Sequence, residues 1–164
     1  MIVWLATLAL AAEPRTELGA GLGGTANLGR RVTNGHAGAH ALARHERGRL
    51  GVDVAAGMGR GVLPRINVAT TLGADVSAQS RGYRPAVGLE VGAVFGQPLR
   101  AIDTEQGGGL YTAPAVAAVR LRVAPLTFRH EAWTVAGLVT SVGVGVGAAA
   151  FAPQVQVVQV RRAL

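Results

Sequence analysis

From Leu50 onward the chain alternates: Leu50, Val52, Val54, Ala56 and Met58 are apolar, while Gly51, Asp53, Ala55 and Gly57 between them are small or acidic. Two residues is the side-chain period of a β-strand, so this segment has one aliphatic face and one small or charged face. The pattern returns with Ile66, Val68, Thr70, Leu72, Ala74 and Val76 set against Asn67, Ala69, Thr71, Gly73, Asp75 and Ser77. Val87, Leu89, Val91, Ala93 and Phe95 then oppose Gly88, Glu90, Gly92 and Val94, and Ala115, Ala117, Val119, Leu121 and Val123 oppose Val116, Ala118, Arg120 and Arg122. Repeated alternation of this kind predicts an antiparallel sheet with one apolar face.

Turn chemistry cuts the runs apart at RRVTNG (30–35), HERG (45–48), GRGVLP (59–64), SRGYRP (80–85), QPLRAIDTEQGGG (97–109), Ala124-Pro125 and AFAP (150–153). These breaks predict about eight strands, over 15–29, 36–45, 49–59, 65–79, 85–96, 109–123, 127–148 and 153–162. Most are at or above the roughly ten residues that a tilted strand needs to cross a bilayer.

The uncharged run Trp133 to Ala152 contains LVTSVGVGVGAAAF and invites comparison with a membrane helix. A helix would carry Gly143, Gly145 and Gly147 at roughly 3 kcal/mol in total relative to alanine. A strand instead sends Val142, Val144 and Val146 to one face and the glycines to the other. The run is therefore read as the seventh strand with its turn. Trp133, Val135 and Val139 fall on the glycine side of that register, which predicts a bulge near Val139 to Ser141 or an apolar plug at one end of a lumen.

Composition sharpens the class. Hydrophobic residues make up 49% of the chain, charged residues 15% and aromatics 4%, with 24 glycines. Charge at this level, against about 25% in an ordinary soluble domain, leaves little to keep a large surface wet. The formal net charge of +7 comes largely from arginines scattered at segment ends, such as Arg30, Arg31, Arg60, Arg65, Arg81, Arg84 and Arg100. Nucleic-acid surfaces concentrate basic residues in patches, so a nucleic-acid partner is not expected. The absence of cysteine removes disulfide frameworks and thiolate metal sites. Met1 to Ala12, with an apolar centre followed by Ala9-Leu10-Ala11, reads as a secretory signal peptide cut near Ala11 or Ala12, leaving 13–164 as a single domain.

Strands of this length, alternation and number resemble the small eight-stranded outer-membrane β-barrels of Gram-negative bacteria, across the whole of 13–164. The resemblance implies an all-β, antiparallel, up-and-down transmembrane barrel in the bacterial outer membrane. Its partners would be outer-membrane lipid and the barrel assembly machinery, its state a monomer, and it would need no cofactor. It also implies that both termini lie at the periplasmic end, with odd-numbered connections extracellular and longer. The third connection, Gln97 to Gly109, is the longest here. Two features differ from the family: the chain ends Val160-Arg161-Arg162-Ala163-Leu164 instead of in an aromatic, and Tyr83, Phe95, Tyr111, Phe128, Trp133 and Phe151 are the few candidates for aromatic girdles.

A barrel of about eight strands has an interior just wide enough for side chains to fill. Asp53, Asp75, Glu90, Arg120 and Arg122, all opposite the aliphatic stripe, would then meet inside as a structural charge network, since buried charges must be paired. Gly51, Gly73, Gly88 and Gly92 on that face would make room for them.

Catalytic and metal chemistry finds little support. Gly19, Gly21 and Gly24 fit G-x-G-x-x-G without the strand–turn–helix context of a dinucleotide site. His36 and His40 share a strand face and His45 does not, with no carboxylate between them to complete a metal site. The function expected is a structural, adhesive or minor transport role, without catalytic or metal-ligating residues. Two alternatives carry weight: a soluble periplasmic lipocalin-like barrel, with its apolar stripes turned inward on an apolar ligand, and a lipid-modifying barrel enzyme. For the enzyme, His130 is followed by Glu131-Ala132, with no serine two residues on, and Ser141 lies far along the chain.

Overall fold

The structure, a computed structural model, describes residues 13–28, 33–61, 66–78, 80–95, 115–145 and 151–164. The signal segment read at 1–12 and the whole of the third connection, Gln97 to Gly109, lie outside these residues. The described strands are β1 (Pro14–Leu28), β2 (Thr33–Arg47), β3 (Leu50–Gly61), β4 (Ile66–Ser77), β5 (Ala86–Phe95), β6 (Ala115–Ala124), β7 (Leu126–His130), β8 (Trp133–Gly145) and β9 (Gln154–Ala163). Each pairs antiparallel with its neighbours, and β1 pairs with β9 while β6 and β7 both pair with β8. The sheet closes on itself as an up-and-down barrel of eight staves, with β6 and β7 the two halves of one stave.

The register fixes the tilt. Arg15 pairs with Glu46, Glu46 with Gly51, Gly51 with Asp75, Asp75 with Gly88, Gly88 with Arg122, Arg122 with Ser141, Ser141 with Gln154, and Gln154 with Thr25. One circuit thus returns to β1 ten residues above its start, the stagger that closes a tilted eight-stranded barrel around a side-chain-filled interior. Both described chain ends lie at the mouth with the short turns 48–49 and 131–132, where the Leu164 amide donates to the Thr16 carbonyl at 3.0 Å. The strand ends Leu28 and Thr33, Gly61 and Ile66, Phe95 and Ala115, and Gly145 and Gln154 lie at the opposite mouth, the third pair being separated by the longest stretch of sequence.

Burial follows the alternation. In β4 the pattern from Ile66 runs exposed, buried, exposed, with Leu72, Ala74 and Val76 outward and Gly73, Asp75 and Ser77 inward. The outer wall is largely aliphatic: Leu22, Val54, Leu72, Leu89, Leu121 and Val144 are each more than half exposed. The lumen is polar.

One predicted turn is corrected. Ala124-Pro125 was expected to end the sixth strand, but the stave runs through it to His130 and turns at Glu131 and Ala132. Pro125 lies opposite Leu138, and Leu138 lies opposite Val157 in the β8–β9 register. At this row each stave places two consecutive residues away from the lumen: Pro125-Leu126, Gly137-Leu138 and Val157-Val158. Leu138 takes a positive φ of 50°, and the β1–β9 register shifts at Leu22/Gly23. The predicted irregularity therefore falls just before Val139 to Ser141. It turns Trp133 and Val135 outward, while Val139 points inward against Ala124 and Ala136 as a small apolar cluster.

Candidate functional site

Seven of the eight staves place charged side chains in ion pairs within the lumen, and β8 adds the hydroxyls of Thr134 and Ser141. At its centre Arg44, from β2, reaches Asp75 of β4 through Nη1 at 2.8 Å and Nη2 at 2.5 Å, and donates from Nε to Glu46 at 2.7 Å. This two-pronged geometry fits the fork of a guanidinium to a carboxylate. Its space comes from β3, where a side chain at Gly51 would collide with the Arg44 guanidinium.

Toward the short-turn mouth, Glu46 also accepts from Arg84 at 3.0 Å and from Arg129. Glu17 of β1 has no solvent exposure and accepts from Thr134 at 2.8 Å, Arg15 at 2.9 Å and Arg129 at 3.3 Å, with Arg161 at 3.5 Å. Toward the opposite mouth, Asp53 pairs with Arg122 at 2.5 Å and stands 4.0 Å from Arg44, tying the two tiers together. Arg120 then pairs with Glu90 at 3.2 Å, donates to the Gln154 side chain at 3.0 Å and reaches the Ala152 carbonyl at 2.9 Å. Each of these charges would be costly alone, and removing one partner of such a pair costs about 3–5 kcal/mol.

Asp53, Asp75, Glu90, Arg120 and Arg122 all face this interior, each less than a tenth exposed. Sequence reasoning did not single out Glu17, Arg44, Glu46, Arg84, Arg129 and Arg161. For the first three a signal exists: Glu17, Gly19 and Gly21 alternate with Leu18, Ala20 and Leu22, and Leu42, Arg44 and Glu46 alternate with Ala41, Ala43 and His45. Alanine in the outward positions of β2 hides that stripe.

The arrangement pairs buried charges with one another. Ser141 Oγ stands 3.5 Å from Glu90 with its other surroundings buried, whereas His130 is exposed on the turn, 4.0 Å from Glu131. These two are not brought together as nucleophile and base. His36 and His40 face the lumen above Arg120, and His45 faces out, its Nδ1 3.1 Å from Thr16 Oγ1. Among the described residues no group of three or more histidine or carboxylate side chains could hold a metal ion. A scan against protein-family models finds no match for this chain, and a search of curated proteins finds none either.

Proposed function

We propose that this chain is a small integral β-barrel of the bacterial outer membrane, with a structural or adhesive role and a lumen closed by its own side chains. The observation that carries the reading is the inversion of the barrel: thirty large hydrophobic side chains are exposed on the described surface, while Glu17, Asp53, Glu90, Arg120 and Arg161 are buried within. Apolar surface on this scale, arranged as a continuous band, is far larger than a soluble monomer leaves in water. Hydrocarbon is the solvent that suits it, and a closed barrel leaves no unpaired strand edge to face lipid. A lipocalin-like reading would need the opposite orientation of the stripes. Side chains occupy the lumen, and its inner cavities hold about 40 and 10 Å³, which favours a structural role over passage of a solute. Tyr83, Phe128 and Trp133 lie on the outer wall toward the short-turn mouth, as an interfacial aromatic belt would. Fractionation tests the proposal. The chain should sediment with envelope membranes, require detergent for extraction and migrate differently on gels before and after heating. Recovery as a detergent-free soluble monomer would overturn it.

A further inference from the structure

We infer that the upper lumen, on the side of Arg120 away from the chain termini, is a binding site for a small monovalent anion of about formate size. Among the described residues, three buried polar atoms on side chains that line one cavity there have no hydrogen-bond partner: Thr25 Oγ1, His36 Nε2 and His40 Nε2. His36 is more than nine-tenths buried, and its ring is held by a hydrogen bond to the Asn67 backbone. Thr25 is paired with it across the β1–β2 register. A buried polar atom without a partner destabilises the fold, so three of them around one space mark a place built to be filled. The cavity holds about 40 Å³, room for about three waters or one three-atom ion.

Charge selects the occupant. The described wall includes the Arg120 guanidinium and no aspartate or glutamate. The nearest carboxylates, Glu90 and Asp53, are already held by Arg120 and Arg122. A metal cation would find two imidazoles, no compensating carboxylate and an arginine beneath it, so its own charge would be opposed. An anion would instead accept from the Thr25 hydroxyl, from a His40 N–H and, by taking up a proton at His36 whose other ring N–H is given to the Asn67 backbone, from His36 Nε2–H, with the Arg120–Glu90 pair beneath. Small residues, Gly23, Gly38, Gly57 and Ala55 among them, line the remaining wall and keep the space open. The site is internal and stands independently of whether lipid or water surrounds the barrel.

The test is a titration of the folded full chain with sodium formate and with sodium bromide at constant ionic strength, following the imidazole ¹⁵N resonances. His36 and His40 should shift saturably while the outward His45 and His130 stay put. A response to formate alone assigns a carboxylate-type ion, a response to both a small anion in general, and zinc sulfate, whose anion is doubly charged and too large for the cavity, should be silent. Thr25→Val and His36→Ala should each weaken the apparent affinity at least about fivefold, in barrels that retain heat-dependent migration. Shifts that only grow linearly with salt, shifts produced by zinc and not by formate, or unchanged affinity in both variants would overturn the assignment.

Discussion

Tyr83 donates its hydroxyl to the carbonyl of Pro125 at 2.7 Å, joining the β4–β5 connection to the stave at the point where proline interrupts it. The β5–β6 register stops at Ala86 and Ala124, so β7 would otherwise show a bare edge on that side. The short hairpin at Ser80 to Tyr83 covers it: the Arg84 amide donates to Thr127 at 2.8 Å, the Arg129 amide to Gly82 at 2.6 Å, and the Tyr83 and Phe128 rings lie 5.3 Å apart. Removing the hydroxyl alone by Tyr83→Phe should cost about 1 kcal/mol. Tyr83→Ala, which also loses the ring pair, should cost about 2 kcal/mol. Amide exchange at Arg129 should accelerate in the alanine variant, and unchanged exchange would refute the edge-covering role.

The glycines of VGVG are expected to differ from those facing the arginines. A Cβ on Gly143 would run into the backbone of Val119 and Arg120 on β6, which can retreat only by giving up the β6–β8 pairing. A Cβ on Gly92 would meet first the end of the Arg120 side chain, which can swing. Gly143→Ala should therefore lose about 2–3 kcal/mol in urea unfolding and Gly92→Ala less than half of that. Equal losses would mean that lumen crowding, and not strand approach, sets the cost.

Those same segments mark how much was legible in the chain. Where valine, leucine and isoleucine alternate with glycine and charge, as in β3 to β6, the faces can be read directly because period two has no other stable solution. Pro125 misled for a local reason. It lacks an N–H and normally ends a strand, but here it sits in the row where three staves step together, so the missing donor falls where pairing is already interrupted. The turn at Glu131 and Ala132 has no glycine, proline or asparagine to announce it, and Glu131 itself takes a φ of 50°. In the lumen, the carboxylates of β3 to β5 stood out against aliphatic stripes, while Arg129 and Arg161 lie beyond the step that reverses the faces and so belong to a register that unbroken alternation assigns outward.

The Arg44–Asp75 pair gives a test of how the network divides its load. Arg44→Met would leave Asp75 without its guanidinium and take one of three from Glu46, and should cost about 3–5 kcal/mol. Asp75→Asn keeps an acceptor for one prong and should cost about 1–2 kcal/mol. Combining Arg44→Met with Asp75→Leu should recover part of the first loss, because an apolar pair no longer buries a lone carboxylate. If the double variant falls by the sum of the losses of Arg44→Met and Asp75→Leu measured singly, the pair acts as two independent residues and the coupling is absent.

The outer wall offers the sharpest separation between lipid and water. Leu72 lies midway along β4, in a row with Val54, Val91 and Val119 by register, and all four are exposed. Val76 is on the same face one residue from the end of the strand, near the short-turn mouth. In a bilayer, Leu72→Arg places a cation at mid-depth and should cost about 2–4 kcal/mol, while Val76→Arg, at the interface, should cost about 0–1 kcal/mol. Measured by reversible unfolding in lipid vesicles, that ratio reports depth, since both variants remove a similar aliphatic side chain and add the same charge. In water neither position has a depth, and the two costs would converge near zero. A graded series along Leu72, Ala74 and Val76 would then locate the wall relative to the hydrocarbon, and a flat series would place the barrel outside it.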